Sequence, residues 1–196
     1  MGEERHQQRQ QRLKEQVDAR IASATEQRGI LMVFTGNGKG KTTAAFGTAL
    51  RAVGHGKKAG AIQFIKGEWP NGERNLLEQH DVEFQVMATG FTWETQNRQL
   101  DTDACLGVWR HAQRMLADPA LDLVILDEIT YMISMDYLPL DALVAALSQR
   151  PEQQSVIITG RGCHRTLLEM ADTVTEMRPV KHAFDAGIQA QQGIDW

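Results

Sequence analysis

Residues 35–43 form a glycine-rich run whose residue types suit the binding of phosphate groups. The run reads Thr-Gly-Asn-Gly-Lys-Gly-Lys-Thr-Thr and lies between an apolar run at 30–34 and a helix-forming run at 44–50. Its three glycines permit positive φ angles, so successive N–H groups can turn inward and form a nest for phosphate oxygens at a helix N-terminus. Lys41 adds a cation, and Thr42 adds a hydroxyl suited to holding Mg²⁺. The pattern predicts a P-loop that binds a nucleoside triphosphate.

One position of this run departs from the general P-loop spacing. The usual pattern, G-x-x-x-x-G-K-[ST], asks for glycine at position 35, where this chain has Thr35. The alternative interpretation is an ordinary glycine-rich turn between a strand and a helix. Three glycines and the Lys-Thr-Thr that follows them, set between a strand and a helix, favour the P-loop.

A second predicted strand ends in two acidic residues. Residues 121–126 are mostly apolar, and Asp127 and Glu128 follow them. A carboxylate at the C-terminal end of a buried strand has the form of a Walker B segment, which meets hydrated Mg²⁺. Ligands of open α/β sheets collect at these strand ends, so Asp127 or Glu128 should face Thr42 across the metal. An Asp-Glu pair can close a strand by chance, but in a chain that also has a P-loop the Walker B interpretation is favoured.

The sequence also bears on which base is bound. No Asn-Lys-x-Asp motif, the motif that reads guanine, is present, which favours adenine over guanine.

Two basic residues follow other predicted strands. Arg161 lies between two glycines after the apolar run 156–158, where the ligand-bearing loops should gather. The planar fork of arginine donates two parallel hydrogen bonds to a phosphate, so phosphate or substrate binding is favoured over a surface salt bridge. Lys66 follows the strand predicted at 59–65 and has a similar but weaker claim.

An aromatic loop follows the third predicted strand. Residues 87–95 read Met-Ala-Thr-Gly-Phe-Thr-Trp-Glu-Thr, so Phe91 and Trp93 are separated by one residue. Core packing is the usual role of such side chains. A loop on the ligand side of the sheet could equally form an apolar wall for a large planar substrate. The sequence leaves both interpretations open.

These segments must be positioned by a scaffold in which apolar strands alternate with helices. Strands are predicted at about 30–35, 59–65, 82–87, 121–127, 155–159 and 173–177, with helices near 41–54, 73–79, 101–117, 139–149 and 164–171. Short apolar runs that alternate with helices predict an α/β fold, with a mostly parallel sheet of about six strands covered by helices on both faces.

Composition narrows the classes of protein to consider. The 196 residues are 42% hydrophobic, which is enough for a sizeable core in a single domain. The net charge of −4 argues against nucleic acid as the main partner, because duplex binders normally present a basic surface. Cys105 and Cys163 lie far apart and outside any C-x-x-C pair, so neither a disulfide framework nor a zinc site is indicated. No signal core or membrane-length apolar stretch is found, which predicts no membrane association and a cytoplasmic location.

Taken together, several runs of this chain resemble one family of enzymes. The runs that carry the resemblance are 34–45, 63–67, 88–93, 126–128, 158–162 and 181–187. They resemble the P-loop ATP:corrinoid adenosyltransferases, which are the cob(I)alamin or cob(I)yrinic acid a,c-diamide adenosyltransferases of bacterial vitamin B12 assembly and salvage. The likeness extends from about residue 29 to the C-terminus. A P-loop alone fits many enzymes, whereas its combination with Gly-Phe-Thr-Trp at 90–93 is selective, and Thr35 matches this family's own pattern.

The resemblance implies transfer of the 5′-deoxyadenosyl group of ATP to the cobalt of a reduced corrinoid, with release of the whole triphosphate. It also implies a RecA-like fold, a homodimer, Mg²⁺ or Mn²⁺ as the metal, and a flavodoxin-like or flavin reductant. Co(I) is itself a strong nucleophile, so no Ser-His or Cys-His pair is required. The leaving group instead needs electrostatic stabilisation.

The resemblance also gives each candidate residue an expected role. The residues expected to bind ATP are Gly36, Asn37, Gly38, Lys39, Gly40, Lys41, Thr42 and Thr43. Those expected to act in catalysis are Lys41, Glu128 and Arg161, and those expected near the metal are Thr42, Asp127 and Glu128. Those expected on the corrinoid side are Lys66, Met87, Phe91 and Trp93. The family holds ATP reversed in the P-loop, so that C5′ of the ribose faces the cobalt.

The predicted domain at 29–196 is preceded by a polar N-terminal segment at 1–28. Leu13, Val17 and Ile21 recur in it every four positions, which predicts a helix with a narrow apolar stripe. A helix of this composition draws its stability from packing, so we expect the segment to be mobile and to close over bound corrinoid as a lid, in its own or the partner subunit. The alternative is a solvated tail without catalytic effect.

Other functions consistent with the P-loop remain open at this point. In a RecA-like ATPase or a small-molecule kinase, Glu128 would polarise water or an acceptor hydroxyl, and the products would include ADP. A nucleotide-responsive binding protein would turn over neither substrate. Neither alternative explains the aromatic loop.

Among the histidines, His164 and His182 lie nearest the expected site. A structural or solvent-facing role is favoured for both.

Overall fold

The computed structural model describes residues 2–65, 71–87 and 98–195. The helices in this part of the chain are α1 (Gly2–Ser23), α2 (Lys41–Gly54), α3 (Gly72–Leu77), α4 (Arg98–Ala117), α5 (Ile129–Ser134), α6 (Leu140–Gln149) and α7 (Arg165–Met170). The strands are β1 (Leu31–Thr35), β2 (Ala59–Gln63), β3 (Glu83–Val86), β4 (Leu123–Asp127), β5 (Ser155–Thr159) and β6 (Thr173–Glu176), and 3₁₀ turns cover Glu78–His80 and Phe184–Ala186. All six predicted strands are confirmed. Helix α5 was not predicted.

The strands form a single parallel sheet in the order β3-β2-β4-β5-β1-β6. Every residue of β2 and β4 is buried, as expected for central strands that helices cover on both faces. Strand β6 lies at one edge, and all four of its residues are exposed. The predicted α/β fold with a parallel sheet is therefore confirmed.

Two apolar clusters form the core, one on each face of the sheet. Neighbouring residues of β4 divide between them: Ile125 packs with Phe46 of α2, whereas Leu126 packs with Trp109 of α4. This alternation follows from the two-residue period of a strand. On the α2 side, the rings of Phe46 and Phe84 pack at 5.5 Å between centroids with a tilt of 55°. The sheet is thus fixed from both faces.

The polar residues that end the inner strands lie at one edge of the sheet. Thr35 ends β1, Gln63 ends β2, Asp127 ends β4 and Thr159 ends β5. In a parallel sheet all carboxyl ends meet at the same edge, so these side chains converge there. The P-loop at 36–40 begins at this edge, directly after β1.

The linker between α1 and β1 is anchored to the far end of the sheet. Arg28 donates hydrogen bonds to both carboxylate oxygens of Asp172, at 3.0 and 2.6 Å. The Oδ2 atom of Asp172 also accepts the backbone N–H of Leu31 at 2.8 Å. Asp172 directly precedes β6, so one carboxylate joins the start of β1 to the start of its neighbouring strand.

The predicted N-terminal helix is present as α1. The side chains of Leu13, Val17 and Ile21 are 55%, 45% and 67% exposed, so the apolar stripe is not covered within the single chain. The division of the chain at residue 28 and the lid function stay predictions. A search of the described residues finds no helix that combines the length and the apolar character needed to span a membrane.

Candidate active site

The P-loop is held against the backbone that follows β6. The N–H of Gly38 donates to the carbonyl oxygen of Met177 at 2.7 Å, and the N–H of Met177 donates to that of Thr35 at 2.8 Å. A Cβ atom on Gly38 would lie 2.7 Å from the carbonyl carbon of Met177, which is too close. Gly36 and Gly40 have φ angles of 92° and 112°, which favour glycine. Glycine is therefore required at these positions by close approach and by backbone conformation.

Lys41 is the first residue of α2 and is largely buried. Its side chain is 6% exposed, and Nζ donates to the carbonyl oxygen of Gly38 at 2.9 Å. Burial lowers the pKa of Lys41, the carboxylate of Glu128 opposes this shift, and the charge of Arg161 adds to it. The ammonium group is thus placed within the loop before any ligand binds.

Asp127 is fully buried and accepts hydrogen bonds from three different elements. Its Oδ1 accepts the hydroxyl of Thr42 at 2.9 Å and that of Thr159 at 2.7 Å. Its Oδ2 accepts the side-chain amide of Gln63 at 3.1 Å. The sequence predicted that Asp127 or Glu128 faces Thr42 across a metal, whereas here Asp127 accepts a hydrogen bond directly from Thr42. This bond orients the Thr42 hydroxyl, which is the group expected to meet a metal.

Glu128 is positioned by its backbone. It has a φ angle of 62° and a ψ angle of 20°, and its N–H donates to the Thr159 hydroxyl at 2.9 Å. This left-handed conformation turns the chain between β4 and α5. A Cβ atom on Gly160 would lie 2.0 Å from Oγ1 of Thr130, so the loop after β5 packs closely against this turn.

The loop after β5 is joined to α5 beside the same turn. The Thr130 hydroxyl donates to the carbonyl oxygen of Arg161 at 2.7 Å. The side chains of Glu128 and Arg161 both line the cavity described below, as the sequence led us to expect. Two predicted strand ends therefore contribute a carboxylate and a guanidinium cation to one site.

A cavity of about 220 Å³ opens at this edge of the sheet. Its lining residues are Asn37, Gly38, Lys39, Gly40, Lys41, Thr42, Thr43, Asn71, Glu73, Glu128, Arg161, His182 and Asp195. The P-loop, the acidic turn and Arg161 thus meet around one space, as predicted. The residues contributed by α3, and Asp195 of the C-terminal segment, were not predicted.

Two of the lining residues come from the last part of the chain. Nζ of Lys39 lies 2.5 Å from Oδ1 of Asp195, so an ion pair joins the P-loop to the C-terminal segment. Nδ1 of His182 accepts the N–H of Phe184 at 3.2 Å. No sequence signal identified Asp195, because it lies 156 positions from Lys39. His182 was expected near the site, with a structural or solvent-facing role favoured, and it lines the cavity.

Of the four residues predicted on the corrinoid side, the structure describes Met87 alone. Met87 is fully buried and belongs to the larger core cluster, so its role in this structure is packing. Lys66, Phe91 and Trp93 lie outside the described residues, and their assignments stay predictions.

The described residues contain no group of three or more His, Cys, Asp or Glu side chains arranged to hold a metal ion. A hard cation such as Mg²⁺ commonly takes one or two protein oxygens and completes its shell with substrate phosphates and water. The Thr42 hydroxyl and the Glu128 carboxylate, which line the same cavity, fit that donor set.

Comparisons with known proteins agree with these observations. The family model described as ATP:corrinoid adenosyltransferase BtuR/CobO/CobP matches residues 27–196, and that of the cob(I)alamin adenosyltransferase N terminal region matches residues 2–21. Over 196 residues and 100% of both chains, this chain is 74% identical to the Corrinoid adenosyltransferase of Escherichia coli (strain K12). It is 71% identical to the Corrinoid adenosyltransferase CobA of Salmonella typhimurium, again over 100% of both chains. Identity to the Corrinoid adenosyltransferase of Pseudomonas aeruginosa is 47%, over 99% of this chain and 97% of that one.

Proposed function

The chain belongs to the ATP:corrinoid adenosyltransferase family and adenosylates corrinoids with ATP, and we propose that the cavity at the sheet edge holds the triphosphate of that ATP. The observation that carries this proposal is the position of Lys41. Lys41 is only 6% exposed, yet it lines the cavity together with Arg161. A buried cation at the first residue of a helix that follows a glycine-rich loop suits a polyanion.

The transfer places its main demand on the leaving group. The electron pair of Co(I) forms the new bond to C5′ of the ribose, the bond from C5′ to the triphosphate oxygen breaks, and that oxygen leaves with the bonding electrons. The protein therefore need not supply a nucleophile or a general base. It must stabilise the negative charge that develops on the departing oxygen.

Lys41 and Arg161 are the residues that we assign to this stabilisation. Both line the cavity, and they approach it from α2 and from the loop after β5. Residues 37–43 of the P-loop line the same space. Because these donors are fixed before the ligand binds, they need little reorganisation during the reaction. For C5′ to face the cobalt, the triphosphate must lie in the loop with its α-phosphate end toward the corrinoid.

We assign the divalent metal, Mg²⁺ or Mn²⁺, to the space between Thr42 and Glu128. Asp127 would act mainly by orienting the Thr42 hydroxyl, since its carboxylate is buried and already accepts three hydrogen bonds. When bound, the metal would neutralise charge on the phosphate oxygens. The protein's contribution is to hold the two oxygen donors at the cavity wall.

The corrinoid would approach the open side of this cavity. Lys66, Phe91 and Trp93 are proposed to contact the corrin, and α1 is proposed to cover it, in the same subunit or in the partner of a homodimer. The uncovered stripe of α1 supports a docking role, because an apolar face at this exposure gains stability by packing. We further propose a cytoplasmic enzyme that receives its electron from a flavodoxin-like or flavin reductant and uses neither nucleic acid nor membrane as a partner.

An anaerobic assay with ATP and chemically reduced cobalamin tests the proposal. The visible spectrum reports formation of the cobalt–carbon bond, and the phosphate products identify the reaction. Inorganic triphosphate in equal amount to adenosylated product is expected from the wild-type protein, with loss of both in Lys41→Ala. A product mixture of ADP and phosphate without adenosylation would instead indicate an ATPase or a kinase.

A further inference from the structure

The C-terminal segment places a carboxylate at the mouth of the phosphate cavity. Oδ1 of Asp195 lies 2.5 Å from Nζ of Lys39, and both residues line the cavity. The side chains are 26% and 46% exposed, so the pair is partly open to solvent. A negative group at this position is unexpected, because the surrounding P-loop is suited to binding an anion.

The position of this carboxylate is set by a closed turn. The N–H of Asp195 donates to the carbonyl oxygen of Gln191 at 2.8 Å, and the N–H of Gln191 donates to Oδ2 of Asp195 at 2.8 Å. Gly193 has a φ angle of 80°, which closes the turn between them. One carboxylate oxygen therefore fixes the turn, and the other is presented to Lys39.

The carboxylate is ionised under neutral conditions. The ammonium group of Lys39 holds the pKa of Asp195 below its usual range, and the N–H of Gln191 and the charge of His182 act in the same direction. The Asp195 anion thus lies beside Lys39 in the cavity lining, next to a cation suited to a phosphate oxygen.

We propose that Asp195 is an internal competitor of the triphosphate for Lys39. When the triphosphate enters, Lys39 exchanges its carboxylate partner for a phosphate oxygen, and the like charge of Asp195 raises the free energy of the bound state. The carboxylate thereby weakens binding of ATP and of the triphosphate product, and it returns to Lys39 as the product leaves. This inference rests on the proposal that the cavity holds the triphosphate.

A purely structural tether is the alternative role for the same ion pair. A tether would stabilise the C-terminal segment. Its removal would then leave the affinity for phosphate unchanged or would reduce it. A competitor makes the opposite prediction, because loss of its charge should strengthen phosphate binding. The sign of the change in affinity therefore separates the two roles.

Titration calorimetry with inorganic triphosphate, at one fixed ionic strength, provides the test. Asp195→Asn should bind inorganic triphosphate about two- to fivefold more tightly than wild type, the scale expected for a partly exposed charge contact. Asp185→Asn is the matched control, since it removes the same charge from an exposed 3₁₀ turn of the same segment that does not line the cavity. It should change the affinity little.

Lys39→Ala and the double variant Lys39→Ala/Asp195→Asn complete the design. If Asp195 competes with the triphosphate for Lys39, then Asp195→Asn should change triphosphate affinity much less in the Lys39→Ala background than in wild type. Equal or weaker binding by Asp195→Asn, or the same gain in Asp185→Asn, would overturn the inference. The proposal that the cavity holds the triphosphate is tested separately: unchanged triphosphate affinity in Lys41→Ala would contradict it.

Discussion

The hydroxyl of Thr159 donates a 2.7 Å hydrogen bond to Oδ1 of Asp127. The same hydroxyl accepts the backbone N–H of Glu128 at 2.9 Å. Thr159 is fully buried at the end of β5, so from the neighbouring strand it connects Asp127, which ends β4, with Glu128, which follows it. A residue without direct access to the substrates can therefore control the placement of both carboxylates.

Replacing Thr159 by Val should destabilise the protein and weaken metal-dependent ATP binding. The substitution keeps the shape but leaves the N–H of Glu128 without its acceptor, at a cost of about 1–3 kcal/mol. Chemical denaturation and ATP titrations with and without Mg²⁺ measure the two effects. Thr175→Val, on the exposed edge strand β6, is the control and should stay within about 0.5 kcal/mol of wild type. An intact Mg²⁺ dependence in Thr159→Val would argue against the positioning role.

Lys41→Ala should reduce both ATP binding and adenosyl transfer. The variant removes a buried cation fixed inside the P-loop, so the loss of transition-state stabilisation should be about 2–4 kcal/mol in kcat/KM. Lys58→Ala removes an exposed cation elsewhere and should retain wild-type kinetics. Near-normal turnover by folded Lys41→Ala protein would show that this side chain does not contact the triphosphate.

Gly38→Ala and Gly47→Ala should change stability in opposite directions. A Cβ atom on Gly38 would meet the backbone of Met177 at 2.7 Å, so we expect a loss of about 1–3 kcal/mol and weaker ATP binding. Gly47 lies within α2, and a Cβ atom there would meet nothing within 4 Å, so alanine should gain about 0.5–1 kcal/mol. Thermal unfolding and ATP titration of both variants check this. Equal stability of the two would contradict the close approach of the P-loop to Met177.

The ion pair between Arg28 and Asp172 should make stability depend on pH in the acid range. The Arg28 guanidinium, helped by the N–H of Leu31, lowers the pKa of Asp172 to about 2. The unfolded value is about 3.9. Because the folded pKa is depressed, the contribution is complete above about pH 4 and is lost as the pH falls toward about 2.

Denaturant unfolding of wild type and Asp172→Asn between pH 6 and pH 2 measures this contribution. The free energies of unfolding should differ most at pH 6 and converge at the acid end. Asp185→Asn, which changes an exposed carboxylate, should follow the wild-type curve. A constant difference between wild type and Asp172→Asn across the whole range would contradict the assignment.

Deleting residues 1–25 tests the proposed lid. The apolar stripe of α1 is exposed in the single chain, so its removal should not disturb the core. The lid role requires weaker corrinoid binding with ATP affinity preserved, which a KM comparison for the two substrates would reveal. Unchanged constants for both substrates would favour a solvated tail.

The sequence was sufficient to predict the candidate site residues that belong to a local motif or that lie at the carboxyl ends of parallel strands. The P-loop, Asp127, Glu128 and Arg161 follow strands that could be recognised by their apolar runs. All the predicted strands exist, and their carboxyl ends meet as a parallel sheet requires.

Other contacts could not be predicted because they depend on strand order and close packing. The sequence analysis gives Gln63 and Thr159 no individual role, yet each donates a hydrogen bond to Asp127 across the sheet. A polar final residue on an otherwise apolar strand was the available signal for both. Met177 and Asp195 gave no signal, since their contacts with the P-loop are set by how the C-terminal segment returns to it.

The hydrogen bonds between the P-loop and Met177 have a consequence for biosynthesis. The loop is encoded in the first quarter of the chain, but the strand that supports it, β6, is the last to leave the ribosome. A nascent chain that ends before residue 177 would carry the complete glycine-rich motif without the backbone that shapes it. The capacity to bind nucleotide should therefore appear only once residue 177 has emerged, and not when the motif itself emerges.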